Sequence, residues 1–247
     1  MNDLKKWFEE NTDRRIHKWA HYFEVYDRHF SKYRDTDVCV VEFGVSQGGS
    51  LQMWRDYFGS DAKIYGVDIN EQCKTFEEEG TEIFIGDQGD RNFLKSLTNN
   101  IPRIDILIDD GGHTMDQQIR TFEELFPYIS TDGIYLCEDC LTSYWKKFGG
   151  GYKHEDSFIE YCKNLIDEIN AWHSKTRHLK VTNFTKIAKS MHFYDSIVVI
   201  EKGEVLEPVN LKTGNITIPN YHPPKRWDKR LTDSIQDFFR NSQRHTG

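Results

Sequence analysis

Ile104-Asp105-Ile106-Leu107-Ile108-Asp109-Asp110-Gly111-Gly112-His113 is the stretch on which the fold turns, together with its later counterpart Gly133-Ile134-Tyr135-Leu136-Cys137-Glu138-Asp139. Each is a short apolar run that stops abruptly at carboxylates. Runs of this length, rich in branched residues and bounded by glycine, read as strands. Near-continuous apolar runs belong to parallel strands covered on both faces. In an open α/β sheet the strand ends converge at one edge, and that edge is where ligands bind. Carboxylates gathered there repel one another unless a cation or protons intervene. The two acidic tips therefore predict a site for a hard divalent cation with His113 beside it.

Working outward, residues 37–43, 63–68 and 82–86 read as further strands, and residues 190–193 and 196–201 as a hairpin around Tyr194-Asp195. Helices are expected over residues 50–57, 117–129 and 157–170, each with apolar residues on one face. Alternation of strands and helices implies a parallel sheet with right-handed crossovers, and the hairpin adds an antiparallel edge. The expected architecture is a Rossmann-like, mostly parallel seven-stranded sheet with helices on both faces. Three segments follow: residues 1–35, helical, with Ile16, Trp19, Phe23, Tyr26 and Phe30 on one stripe; residues 36–203, the α/β domain; and residues 204–247, an irregular arm ending in a helix over 227–240. That helix carries Lys225, Arg226, Lys229 and Arg230 near Trp227, and the expected partner for the arm is a neighbouring subunit.

Length and composition agree with one α/β domain: 247 residues with 16 Phe, 12 Tyr and 6 Trp supply a sizeable core. A formal net charge of −8 argues against nucleic acid as partner. No apolar run approaches the ~20 residues of a membrane span. The first residues lack the apolar stretch of a secretory signal, and five cysteines is an odd number, so reduced thiols and a cytoplasmic location are expected. Cys137 and Cys140 form C-x-x-C, but no second pair exists for zinc, and the intervening residues are acidic rather than thiolate-stabilising.

Between the first strand and first helix runs Glu42-Phe43-Gly44-Val45-Ser46-Gln47-Gly48-Gly49-Ser50. Gly44 and Gly48 permit close backbone approach to a ligand, and Ser50 opens the helix. The pattern lacks the second glycine of the dinucleotide G-x-G-x-x-G. Glu42 would repel a pyrophosphate but suits an ammonium. Asp68 closes the second strand, where an acid accepts hydrogen bonds from ribose hydroxyls, and Asp87-Gln88 at the third strand end would lie near a base. A ribose, an amine and no phosphate together describe S-adenosylmethionine. A nucleotide-phosphate site, as in an NAD-dependent enzyme, and a tight turn with no ligand are the alternatives.

Mg²⁺ takes carboxylate oxygens and keeps positions open for water or substrate. Asp110, Glu138 and Asp139 would supply such a half-shell. Asp109 is expected on the cofactor side, because successive strand residues point to opposite faces. A neutral imidazole at His113 can take a proton from a hydroxyl. A solvated acidic surface is the bland alternative. Tyr144, Trp145 and Tyr152 flank Gly149-Gly150-Gly151 and offer rings for a sugar face or for loop packing; His154 and Asp116 are further candidates to face a substrate.

Taken together, these motifs resemble the metal-dependent class I methyltransferases of sugar hydroxyls, typified by the macrocin and mycinamicin O-methyltransferases. The resemblance rests on Glu42-Phe43-Gly44-Val45, Gly48-Gly49-Ser50, Gly86-Asp87-Gln88, Asp109-Asp110-Gly111-Gly112-His113, Glu138-Asp139, Thr142-Ser143-Tyr144-Trp145 and the stretch from His192 to Val199, and spans residues 16–202. It implies methyl transfer from S-adenosylmethionine to a small-molecule or glycan acceptor, metal acids at Asp110, Glu138 and Asp139, and a general base at His113. The macrolide enzymes carry an N-terminal region absent from this sequence, so the acceptor and the oligomer need not follow theirs. A cofactor-binding protein of the same fold without catalysis is the remaining alternative.

Overall fold

The computed structural model describes residues 3–219, so the helix expected over 227–240 and its basic residues lie outside the described residues. The chain divides into Met1–Pro208 and Val209–Gly247. The first unit is built on one sheet. Helices α1 (Asp3–Glu10) and α2 (Tyr22–Phe30) precede β1 (Cys39–Phe43). Then follow α3 (Gly49–Phe58), β2 (Lys63–Asp68), β3 (Thr81–Ile85), α4 (Arg91–Asn100) and β4 (Ile104–Asp109). The remainder is α5 (Met115–Leu125), β5 (Ile129–Cys137), α6 (Phe158–Ile169), α7 (Asn183–Ile187), β6 (Ala188–Tyr194) and β7 (Ile197–Lys202).

The strand order is β3-β2-β1-β4-β5-β7-β6. All pairs are parallel except those made by β7, which runs antiparallel to both β5 and β6. The register sets Phe43 beside Val67 and Asp109, and Asp109 beside Cys137. The tips of β2, β1, β4 and β5 thus finish at one level, as the acidic runs predict. Both faces are buried. Val40, Ile106, Ile108, Ile134 and Leu136 pack with α2 and α3 on one side; Val41, Leu107, Tyr135 and Cys137 pack with α4, α5 and α6 on the other. Alternate residues of the same strands serve the two cores, which is why the strands read as continuous apolar runs.

Two local readings change. The helix expected through residues 1–35 is interrupted between Glu10 and Tyr22. The Asn11 side chain accepts from the Asp13 amide and donates to the Arg14 carbonyl, a local turn that competes with the helix. Trp19, placed on the apolar stripe by its spacing, is half exposed. The helix expected to reach residue 129 ends at Leu125, because Pro127 cannot continue it. The freed Ile129 opens β5. All five cysteines are free and buried. Among the described residues no helix is long and apolar enough to cross a membrane.

Candidate active site at the carboxyl edge of the sheet

A cleft of about 750 Å³ opens over the strand tips, lined by the turn after β1, by Asp68, Asp87 and Gln88, by the turn Asp110–His113, by Asp139, and by Arg15–Lys18 of the segment between α1 and α2. Its floor is shaped by backbone. Gly44 sits at φ +91°, and a Cβ there would come within 1.9 Å of the Asp110 carbonyl oxygen, so only glycine lets the β4 turn fold over β1. Ser46, His113 and Asp139 all line the cleft in the left-handed region, at φ +51°, +56° and +50°. Strain of this kind persists where surrounding structure over-determines it, and functional sites are where it gathers.

The acids separate by direction. Asp110 and Asp139 turn into the cleft, and the His113 Nε2 stands 3.8 Å from a carboxylate oxygen of each. One ligand atom from each of the three lies within 4.8 Å of the others, a spacing compatible with a shared cation. The His113 Nδ1 is buried without a hydrogen-bond partner. Asp109, expected on the cofactor side, points instead into the opposite core and is fully buried. It accepts from Gln88 Nε2 at 2.6 Å and Tyr135 OH at 3.0 Å. Gln88 also accepts from the Gly112 amide, so Asp109 shapes the histidine turn through it.

Glu138 and Glu42 lie beneath the cleft, not on its wall, and both are buried. Between them comes a residue that no sequence pattern singles out. The Lys18 ammonium is 2.5 Å from Asp110 Oδ2, 2.9 Å from both Glu138 oxygens and 3.8 Å from Glu42, with 2% of its side chain exposed. Burial works to lower the Lys18 pKa, but Asp110, Glu138 and Glu42 outweigh it and hold the ammonium charged. Burial raises Glu138, as does Asp110, against the pull of Lys18. Glu42 is likewise raised by burial. Tyr26 donates to Glu138 at 2.7 Å and Tyr22 to Asp139 at 2.7 Å. Glu42 accepts from Ser50 and Trp54. No signal within the N-terminal stretch marks Lys18, since its partners are distant in sequence.

At the other end of the cleft Asp68 accepts from the Ser46 and Asn70 amides. Asp87 is exposed and binds the Gly89 amide. Gly48 caps α3 in the left-handed region, and the carbonyls of Arg14 and Arg15 lie against Gly49 in its first turn. A phosphate seated on a helix N-terminus needs that place open. Tyr144, Trp145 and Tyr152 are exposed and do not line the cleft. Asp116 and His154, with Thr114, line a separate hollow of about 600 Å³. A third group, His29, His192 and Glu201, is a network closed by Tyr194 and Ser190.

Comparison with known proteins agrees with the fold. Residues 41–140 match a methyltransferase domain family. The 8-demethyl-8-alpha-L-rhamnosyl tetracenomycin-C 2'-O-methyltransferase of Streptomyces olivaceus is 34% identical over 75% of this chain and 51% of its own length. The demethylmacrocin O-methyltransferase of Streptomyces fradiae is 33% identical over 75% of this chain and 50% of its own. The chain thus spans about half the length of the curated relatives it matches. Among solved structures, the mycinamycin-pathway methyltransferase MycE in complex with Mg, SAH and mycinamycin VI superposes with a TM-score of 0.73 at 28% identity, over 95% of this chain and 58% of that one. The chain carries a class I methyltransferase domain and is similar, over three quarters of its length, to O-methyltransferases of the rhamnosyl tetracenomycin-C and demethylmacrocin type.

Proposed function

We propose that the chain transfers a methyl group from S-adenosylmethionine to a sugar hydroxyl with the help of a hard divalent cation, Mg²⁺ being the first choice. The observation that carries this reading is the meeting of Asp110, Asp139 and His113 at the mouth of a cleft whose other end is Asp68. Relatives and a structural neighbour whose names record sugar O-methylation, Mg and SAH support it.

The residues present fit both groups. Three carboxylates, Glu42, Asp110 and Glu138, stand around one ammonium, and a fourth, Asp139, stands beside His113. This excess negative charge, part of it facing the cleft, suits a hard dication. Asp110 and Asp139 would hold it. Glu138, the third metal acid of the sequence reading, stands behind them, engaged by Lys18. When bound, such an ion makes a hydroxyl oxygen more acidic. The cofactor supplies an electrophilic methyl. Asp68 has lone pairs left for ribose hydroxyls. Glu42, fully buried and off the cleft wall, acts on the cofactor through the turn it braces. His113, held by its strained turn and by the Thr142 hydroxyl on its carbonyl, would accept the acceptor's proton at Nε2. Orienting both reactants in one cleft supplies much of the acceleration.

We place the activity in the cytoplasm, a reading that five buried free thiols support. The acceptor would be a small glycosylated molecule. The test is a screen of glycosylated acceptors with methyl-labelled cofactor, with and without Mg²⁺. Label transferred to a sugar hydroxyl only with the metal is expected. Binding of NAD without binding of S-adenosylmethionine would refute the reading.

A further inference from the structure

Lys18 is the cation that this site brings with it. It belongs to the segment between α1 and α2, which crosses the edge of the cleft and is seated by the Arg14 amide on Gln52 and by the close approach of its carbonyls to Gly49. From there its ammonium reaches 92 residues along the chain to Asp110 and 120 to Glu138. It contacts both oxygens of Glu138 but only Oδ2 of Asp110. The other oxygen, Oδ1, is the one that faces His113. Without the ammonium, the carboxylates of Glu42, Asp110 and Glu138 would face one another with no counter-charge, and repulsion would swing Asp110, the least buried of the three, outward.

We propose that Lys18 is a positioning residue: it clamps Asp110 to Glu138 across the tips of β4 and β5 and so fixes the oxygen of Asp110 that is offered, with Asp139, to the divalent cation. The proposal rests on the metal-dependent reading above. It gives the N-terminal segment a part in metal binding that the cofactor cleft alone does not require. An alternative role, in which the lysine merely fills the site until the metal displaces it, predicts the opposite sign when the lysine is removed.

The experiment is titration of purified full-length protein with Mn²⁺, followed by electron paramagnetic resonance, with SAH binding by calorimetry as the measure of an intact cleft. Lys18→Met is expected to bind SAH while losing tenfold or more in Mn²⁺ affinity, with a changed Mn²⁺ line shape. Lys18→Arg keeps the charge on a wider, planar head and is expected to lose several-fold and also to alter the line shape. It serves where the Met variant does not fold. Mn²⁺ affinity equal to or tighter than wild type in Lys18→Met, or a wild-type spectrum in Lys18→Arg, would overturn the clamp. A wild type that takes up no Mn²⁺ would overturn the metal reading and the clamp with it. Failure of methyl transfer with normal Mn²⁺ uptake would count against the acceptor reading alone.

Discussion

The Asp109 carboxylate is fully buried, and burial lifts its pKa from 3.8 to about 6 despite hydrogen bonds from Gln88 and Tyr135. The native state therefore holds this proton more tightly than the unfolded chain does. Its contribution to stability is present below about pH 4 and is lost as pH rises to about 6, a span worth roughly 3 kcal/mol. Asp109→Asn keeps the shape and does not titrate. Urea unfolding from pH 4 to 7 should show the wild type losing more stability than this variant; equal slopes would contradict the assignment. One residue along, Asp110 faces the other way, toward His113. His113→Ala should lower turnover by about 10²- to 10⁴-fold, the usual worth of a general base. SAH affinity should stay within a few-fold by calorimetry. Undiminished turnover would remove His113 from the chemistry.

Elements bring these side chains together through their ends. The β1 turn and the β4 turn touch at Gly44, where a Cβ would collide with the Asp110 carbonyl and the backbone already has φ +91°. Gly44→Ala should cost about 2–4 kcal/mol by thermal or urea unfolding, from combined overlap and strain. It should weaken SAH binding as the two turns part; a variant as stable as wild type would show that the turns are not locked. What was legible in the sequence follows from the same geometry. The central strands are buried on both faces, so 104–109 and 133–137 stand out as apolar runs, and the carboxylates that stop them must lie at strand tips. His113, Asp110 and Asp139 follow by adjacency. Lys18 does not, because its partners follow β4 and β5, while the apolar stripe around it through Ile16 and Trp19 marks no lysine. Nor does the direction of Asp109 and Glu138: alternation says that neighbours diverge, but which of each pair enters the cleft depends on the turn that follows. The break after Glu10 was hidden for a similar reason, since the apolar spacing continues across a segment that Asn11 folds into a turn.

At the scale of the whole molecule the balance is acidic, −8 over 247 residues, and four carboxylates meet at and under the cleft, where a buried ammonium offsets only part of their charge. A fold that gathers like charges at its ligand edge is stabilised by whatever neutralises them. A ligand that binds only the folded chain adds RT ln(1 + [L]/Kd), about 2.7 kcal/mol at a hundredfold excess over Kd. Mg²⁺ at saturating concentration should therefore raise the melting temperature of the full chain, and EDTA should reverse the rise. Asp139→Asn, which leaves the Lys18 contacts in place, should abolish most of the shift, because Asp139 faces the cleft and is not engaged by the lysine. Glycosylated acceptors supplied with labelled cofactor should be methylated in Mg²⁺ and left unmodified in EDTA. SAH should still bind in EDTA, since Asp68 closes β2, across β1 from the acids at the tips of β4 and β5. Full transfer in EDTA together with a metal-independent melting temperature would mean that the acids serve Lys18 alone, and that His113 takes its proton without a metal beside it.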